Sequence, residues 1–193
     1  LIFAFPRIVT EKVKDNFLIK VLCSEILVFY YAFCSWRKKT SKGFTVYKNT
    51  MYIPFLIMIF HAAFFEAVAF HWFFHELMPI LAWGHTLLSI YGLVFILADF
   101  RALTLNPVTI AEGKVFISNG LMKRTKIDLN NIAHLHTAVQ DETIYHLKVM
   151  GNTDERPAFV MEMKELQILH GIGGFEKKAK YIGVYADDPS SLR

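Results

Sequence analysis

Two long apolar runs, joined at Glu76-Leu77-Met78-Pro79, fill residues 51–100 and constrain the fold more than any other part of the chain. A helix needs about 20 predominantly apolar residues, at 1.5 Å each, to cross the hydrocarbon core of a bilayer. Both runs reach that length, so they predict a transmembrane hairpin with spans at 52–75 and 80–100. A further span is predicted at 17–36, where Lys20 and Glu25 interrupt the apolar sequence. Lys20 can snorkel to the interface, whereas Glu25 does so with difficulty.

The loop between the first two spans carries Arg37, Lys38, Lys39, Lys42 and Lys48 without an acidic residue, which places it in the cytoplasm by the positive-inside rule. The Pro79 turn is then outside and everything after Arg101 is cytoplasmic. Trp72 and Trp83 beside the outer turn, and Trp36, Tyr47 and Tyr52 beside the inner loop, fit interfacial belts. Arg7, Lys12 and Lys14 on the outer side pull the other way. Leu1 to Phe5 is too short for a signal-peptide core, so the N-terminus reads as a fragment or a processed end.

Composition changes at 100–102. Before it lies most of the apolar excess of a chain that is 54% hydrophobic with 18 Phe; after it, apolar and polar residues alternate. The domains expected are therefore 1–101, a transmembrane helical bundle, and 102–193, a soluble β domain. The net charge of +4 is concentrated in the inner loop rather than on the soluble half, which argues against nucleic acid as a partner. Cys23 and Cys34 lie about 16 Å apart along one helix and cannot bridge each other.

In the second half, Asn119-Gly120 between two alternating runs predicts a tight hairpin with a type I′ turn, and a further turn is expected at Glu112-Gly113. More strands are expected at 132–137, 143–150, 158–163 and 181–185, with a second hairpin around Gly151-Asn152. Short strands at near-regular spacing suggest a small antiparallel barrel or sandwich, giving an α+β chain.

Four histidines stand in the hairpin. At 100° per residue His61, His71 and His75 fall on one stripe, and His85 lies on the facing run at similar depth. Interfacial packing is one role for them. His71, His75 and His85 around a metal or haem is a second, and a proton-linked role is a third. Glu25 and Glu66 are costlier in a membrane. Each lies roughly 12–15 Å from the outer end of its helix, so the two carboxyls can meet, sharing a proton or a cation; otherwise each takes a hydrogen-bond partner such as Ser89 or Tyr91. Asp99 and Arg101 close the last span as anchors.

Lys123, Arg124 and Lys126 form a basic strand, either a solvated face or one turned to anionic headgroups. His134, His136, Asp141, Glu142 and His146 converge only if strand pairing brings them together. His-x-x-His-His clusters of di-iron hydroxylases are absent, Pro79 stands where a zinc protease needs histidine, and Gly171–Gly174 lacks the Lys-Ser/Thr of a P-loop. No Gly-x-Ser-x-Gly is present.

Glu25–Lys38, Gly43-Phe44-Thr45, Glu66–His71, Ala82-Trp83, Leu88–Tyr91, Ala98–Arg101 and Asp187-Asp188-Pro189 together resemble a family of uncharacterised bacterial multi-pass membrane proteins. That resemblance implies a cell (inner) membrane location but no activity. Leu105–Ile132, with Leu105–Ile110 and Asn119–Ile132, resembles the first strands of bacterial pleckstrin-homology-like domains that follow transmembrane hairpins. It implies a role in assembly or interaction with membrane lipid, a protein partner or a second copy, rather than an enzyme. The alternative is a membrane redox protein with metal or haem on the hairpin histidines.

Overall fold

A computed structural model describes residues 17–40, 43–48, 50–137, 144–149, 156–171, 175–185 and 187. Three helices precede one seven-stranded sheet, an α+β arrangement. Helix α1 covers Phe17–Phe29 and continues as one turn of π-helix, Tyr30–Cys34. Helix α2 is Tyr52–Phe74, and the Thr50 hydroxyl accepts the Tyr52 N–H at its start. Helix α3, Pro79–Leu105, opens on the proline, whose missing N–H costs nothing in a first turn.

Helices α2 and α3 are long and apolar enough to cross a membrane, and only 6% of each apolar window is buried against the rest of the chain. The core helix of a soluble protein hides such side chains, yet Trp72 is 78% exposed and Ile80 92%. The apolar part of α1, Val21–Cys34, is shorter. Its Leu27, Val28, Tyr31 and Ala32 pack on Ala98, Ala102 and Leu105 of α3. Ala98 and Ala102 are wholly buried, and their lack of bulk lets the two helices approach closely.

The strands are β1 Thr109–Ala111, β2 Lys114–Asn119, β3 Lys123–Asp128, β4 Ile132–His136, β5 Tyr145–Leu147, β6 Phe159–Gly171 and β7 Glu176–Val184. They form the path β1-β2-β3-β6-β7-β5, with β4 also on β6. Strand β6 is long enough to serve two neighbours on one edge: Val160–Met163 pair with β4, while His170 and Gly171 pair with β3. Its register shifts between Glu162 and Gln167. On the edge opposite β7, between the stretches paired with β4 and with β3, the Asn131 amide donates to the Glu165 carbonyl and accepts the Glu165 N–H, so a side chain stands in for a ladder rung.

Helices and sheet share one core. Tyr52 and Leu56 from α2, Phe100 and Leu103 from α3, and Val46 from the inner loop meet Val115, Ile117, Ile127, Met161, Met163 and Ile182 from the sheet. Phe44 and Val108 exchange both backbone hydrogen bonds, tying the inner loop to the chain entering β1. Helix α3 therefore continues one turn past the change in composition, because Ala102, Leu103 and Leu105 are buried against sheet and α1.

Several expectations change. The sheet is open and mixed rather than a closed antiparallel barrel or sandwich: β5 runs parallel to β7, and β1 and β5 remain at opposite ends of the path. The second hairpin does not form between its flanking strands. Strands β3 and β4 fill one edge of β6 and β7 fills the other, so β5 takes the free edge of β7; Gly151 and Asn152 lie outside the described residues. The type I′ signature, positive φ at both central residues, falls on Glu112 (52°) and Gly113 (69°), between paired Ala111 and Lys114. Asn119 stays in β2, paired with Lys123, so Gly120-Leu121-Met122 make a three-residue loop with Gly120 alone at positive φ.

Candidate functional site

The hairpin histidines are divided. His71 Nδ1 lies 2.8 Å from Thr86 Oγ1. That hydroxyl already donates to the Ala82 carbonyl, so the imidazole N–H is the donor. His75 Nδ1 donates to the Trp72 carbonyl at 3.0 Å, and His61 Nδ1 to the Ile57 carbonyl at 2.8 Å. The His71 and His75 rings lie nearly parallel with centroids 6.0 Å apart, and Trp83 sets its edge on His71.

His85 turns elsewhere. It stacks on Phe70 at 4.0 Å and brings Nε2 to 3.6 Å from Glu66. The trio His71, His75 and His85 is thus not assembled, and no group of three metal-capable side chains occurs among the described residues. His71→Ala and His75→Ala are each expected to cost about 1 kcal/mol, the size of one neutral hydrogen bond with its packing, measured by thermal unfolding in detergent.

Glu25 and Glu66 also take separate partners. Tyr91 donates its hydroxyl to Glu25 at 2.7 Å, while Glu66 faces His85. Each carboxyl therefore has its own polar neighbour on α3, which lowers the cost of placing it among apolar side chains.

The most complete polar site lies at the other end of α3. Asp99, 9% exposed, accepts the Leu121 N–H at 2.7 Å and the Tyr52 hydroxyl at 3.2 Å, with a further backbone hydrogen bond from Met122. One carboxyl thereby joins α3, α2 and the β2–β3 loop. Gly120 fits directly beneath it: a Cβ there would collide with Asp99 Oδ1. Two residues on, Arg101 donates to the carbonyls of Ser35, Trp36 and Lys38 and lies over the Trp36 ring. It satisfies the exposed carbonyl end of α1 and pins it to α3. Sequence alone read Asp99 and Arg101 as interfacial anchors; Asn119-Gly120 signalled a turn, and neither signalled the other.

The basic strand is split by its own alternation. Arg124 and Lys126 share a face with Ser118 and Phe116, and Lys126 lies over the Phe116 ring. Burial is the main cause pushing the Arg124 guanidinium below its usual pKa. Lys123 points to the opposite face, where its Nζ donates to the His146 carbonyl.

Of the histidines on the sheet, His134 and His136 come together and His146 lies apart. His136 Nε2 lies 3.1 Å from Glu162, on β6, while His146 Nδ1 meets the Tyr185 hydroxyl at 2.9 Å on the far side of β7. His134 has its ring centroid 6.0 Å from that of His136. Asp141 and Glu142 lie outside the described residues. The His136 hydrogen bond, and then Lys180, hold the Glu162 carboxyl below its usual range. A depressed acid contributes stability above its unfolded pKa and loses it as pH falls through the lower folded value. Thermal stability is therefore expected to fall less steeply on acidification in Glu162→Gln than in the parent, read as the Tm difference between pH 7 and pH 3.

Comparison with known protein families, characterised proteins and solved structures returned no match. The reading of function rests on the chain's own chemistry.

Proposed function

We propose that the chain is an integral membrane protein in which α1, α2 and α3 anchor a cytoplasmic β module that works by binding at the membrane surface. Its ligand is a protein partner, membrane lipid or a second copy of itself. The observation that carries this reading is the joint at the inner end of the hairpin. Asp99 and the shared core fix the sheet to the same helix ends that carry the basic loop, so the module cannot swing away from the bilayer as a linker-borne domain would.

The exposed apolar surface of α2 and α3 supports anchoring, since contiguous apolar surface of this extent is not left in water. Residues 105–132 include the antiparallel strands β1, β2 and β3, and an interaction role for them rests on the resemblance to pleckstrin-homology-like domains alone. Arg37, Lys38 and Lys39 at the inner end of α1 support the cytoplasmic side.

Alkaline carbonate extraction of membranes tests the anchoring. The chain is expected to stay in the pellet, as a spanning hairpin does, and release into the supernatant would refute the reading. Chemical cross-linking in those membranes, compared with purified protein in detergent, separates a foreign partner from self-association.

A further inference from the structure

Strand pairing gathers three lysines that sequence order keeps apart. Lys123 lies on β3, Lys148 just beyond β5, and Lys177 on β7. Lys123 Nζ is 5.6 Å and Lys177 Nζ 5.3 Å from the centre of the Tyr145 ring, and Lys148 Nζ lies 5.9 Å from that of Tyr185. None of the three lies within ion-pair distance of a carboxylate among the described residues, whereas Lys180 reaches Glu162 at 3.8 Å. Lys123 and Lys177 thus share one aromatic ring without a carboxylate between them among the described residues.

Burial and then the charges of Lys148 and Lys177 push the Lys123 pKa down, and burial with Lys148 and Lys123 does the same to His146. Such mutual repulsion costs free energy in the empty fold and is relieved when an anion sits among the charges. Asn119 is the direct cross-strand partner of Lys123, on the same face. It is 6% exposed, and both its side-chain amide atoms are buried without a protein hydrogen-bond partner among the described residues. Its NH₂ is a donor that water or an anion's oxygen can satisfy.

We infer that Lys123 and Lys177, which share the Tyr145 ring, form a binding site for a phosphate group, with the charge of Lys148 nearby. Their ammonium groups supply point charges for a dianionic oxygen cluster, and Tyr145 holds both in place through its ring. Lys123 follows Leu121, bonded to Asp99 at the inner end of α3, by two residues, about 7 Å of strand. A lipid headgroup is therefore within reach, as is a soluble phosphate. Only the source of the phosphate rests on the membrane reading above; the charge cluster itself does not.

The test is isothermal titration of the full chain in neutral detergent with short-chain phosphatidic acid and, separately, with inorganic phosphate. Saturable binding is expected for at least one. The double variant K123Q/K177Q is expected to weaken it roughly tenfold or more, since both point charges are removed from the anion. K164Q/K178Q, which removes the same charge from exposed positions outside the cluster, is expected to leave it unchanged. Preference for the lipid identifies a headgroup site, and equal affinity identifies a soluble phosphate; both support the inference. No saturable binding of either, or equal loss in both double variants, overturns it. Because detergent replaces the bilayer, that failure is separate from release of the chain in carbonate.

Discussion

Replacing Asp99 by alanine is expected to lower stability by about 2–4 kcal/mol, the largest effect of any single polar side chain in the protein. The carboxyl accepts from the Leu121 N–H and the Tyr52 hydroxyl and holds a backbone hydrogen bond from Met122. Alanine leaves these donors facing a void, and each buried unpaired donor costs roughly 1–3 kcal/mol. Removing the carboxylate's own desolvation cost returns part of that, which keeps the net loss below the sum. Asp99→Asn is expected to lose less than Asp99→Ala, because the amide's carbonyl oxygen still accepts one N–H while its NH₂ offers a donor that Tyr52 can accept only by reversing its hydroxyl. Thermal unfolding in detergent measures both variants. Limited proteolysis is expected to cut the β module of Asp99→Ala faster, since the joint and not the hairpin is weakened.

Gly120→Ala is expected to be as damaging, at about 3 kcal/mol or more. Two costs add at this position. A φ of 67° disfavours any L side chain by about 1–2 kcal/mol, and the new Cβ meets the Asp99 carboxyl well inside van der Waals contact. Relief requires the carboxyl to move, which breaks the Leu121 hydrogen bond. Gly113→Ala supplies the internal control: its φ is also positive, at 69°, but nothing lies within 4 Å of the added carbon. Only the conformational cost remains there, and a drop of about 1 kcal/mol is expected. A similar loss in both variants would mean that the joint contributes little.

Much of the helical half was legible because its signals are local. Length and apolarity mark α2 and α3, and Pro79 marks where the second begins. The separation of the helix histidines and carboxyls was less so. Helical phase put His71 and His75 on one stripe correctly enough to bring their rings within 6.0 Å, but rotation of the facing helix decides which residue each meets. That rotation gave Thr86 to His71 and turned His85 to Glu66.

In the sheet, strand positions followed alternation, whereas pairing did not. Strand β6 outgrew its expected bounds because Glu165–His170 mixes polar and apolar residues without a clean period, and Asn131 supports the stretch between the β4 and β3 pairings with a side chain. The parallel pairing of β5 with β7 has no local mark at all, and it is this pairing that carries Tyr145 to Lys123 and Lys177. Asp99 and Gly120 were each visible as an anchor and a turn. Their contact depends on α3 running on to Leu105 and folding the chain back through β1 and β2.

The hairpin is proposed to span the membrane with the β module on the side of the basic loop. Single-cysteine labelling tests it most directly. In a chain with Cys23 and Cys34 replaced by serine, a cysteine at Glu76, in the turn between α2 and α3, and one at Lys164, exposed on β6, are treated separately with a membrane-impermeant maleimide on intact cells. The cysteine at position 76 is expected to label from outside and the one at 164 only after the membrane is opened. Labelling of both before opening, or of neither, would contradict a spanning hairpin with its module on the inner face.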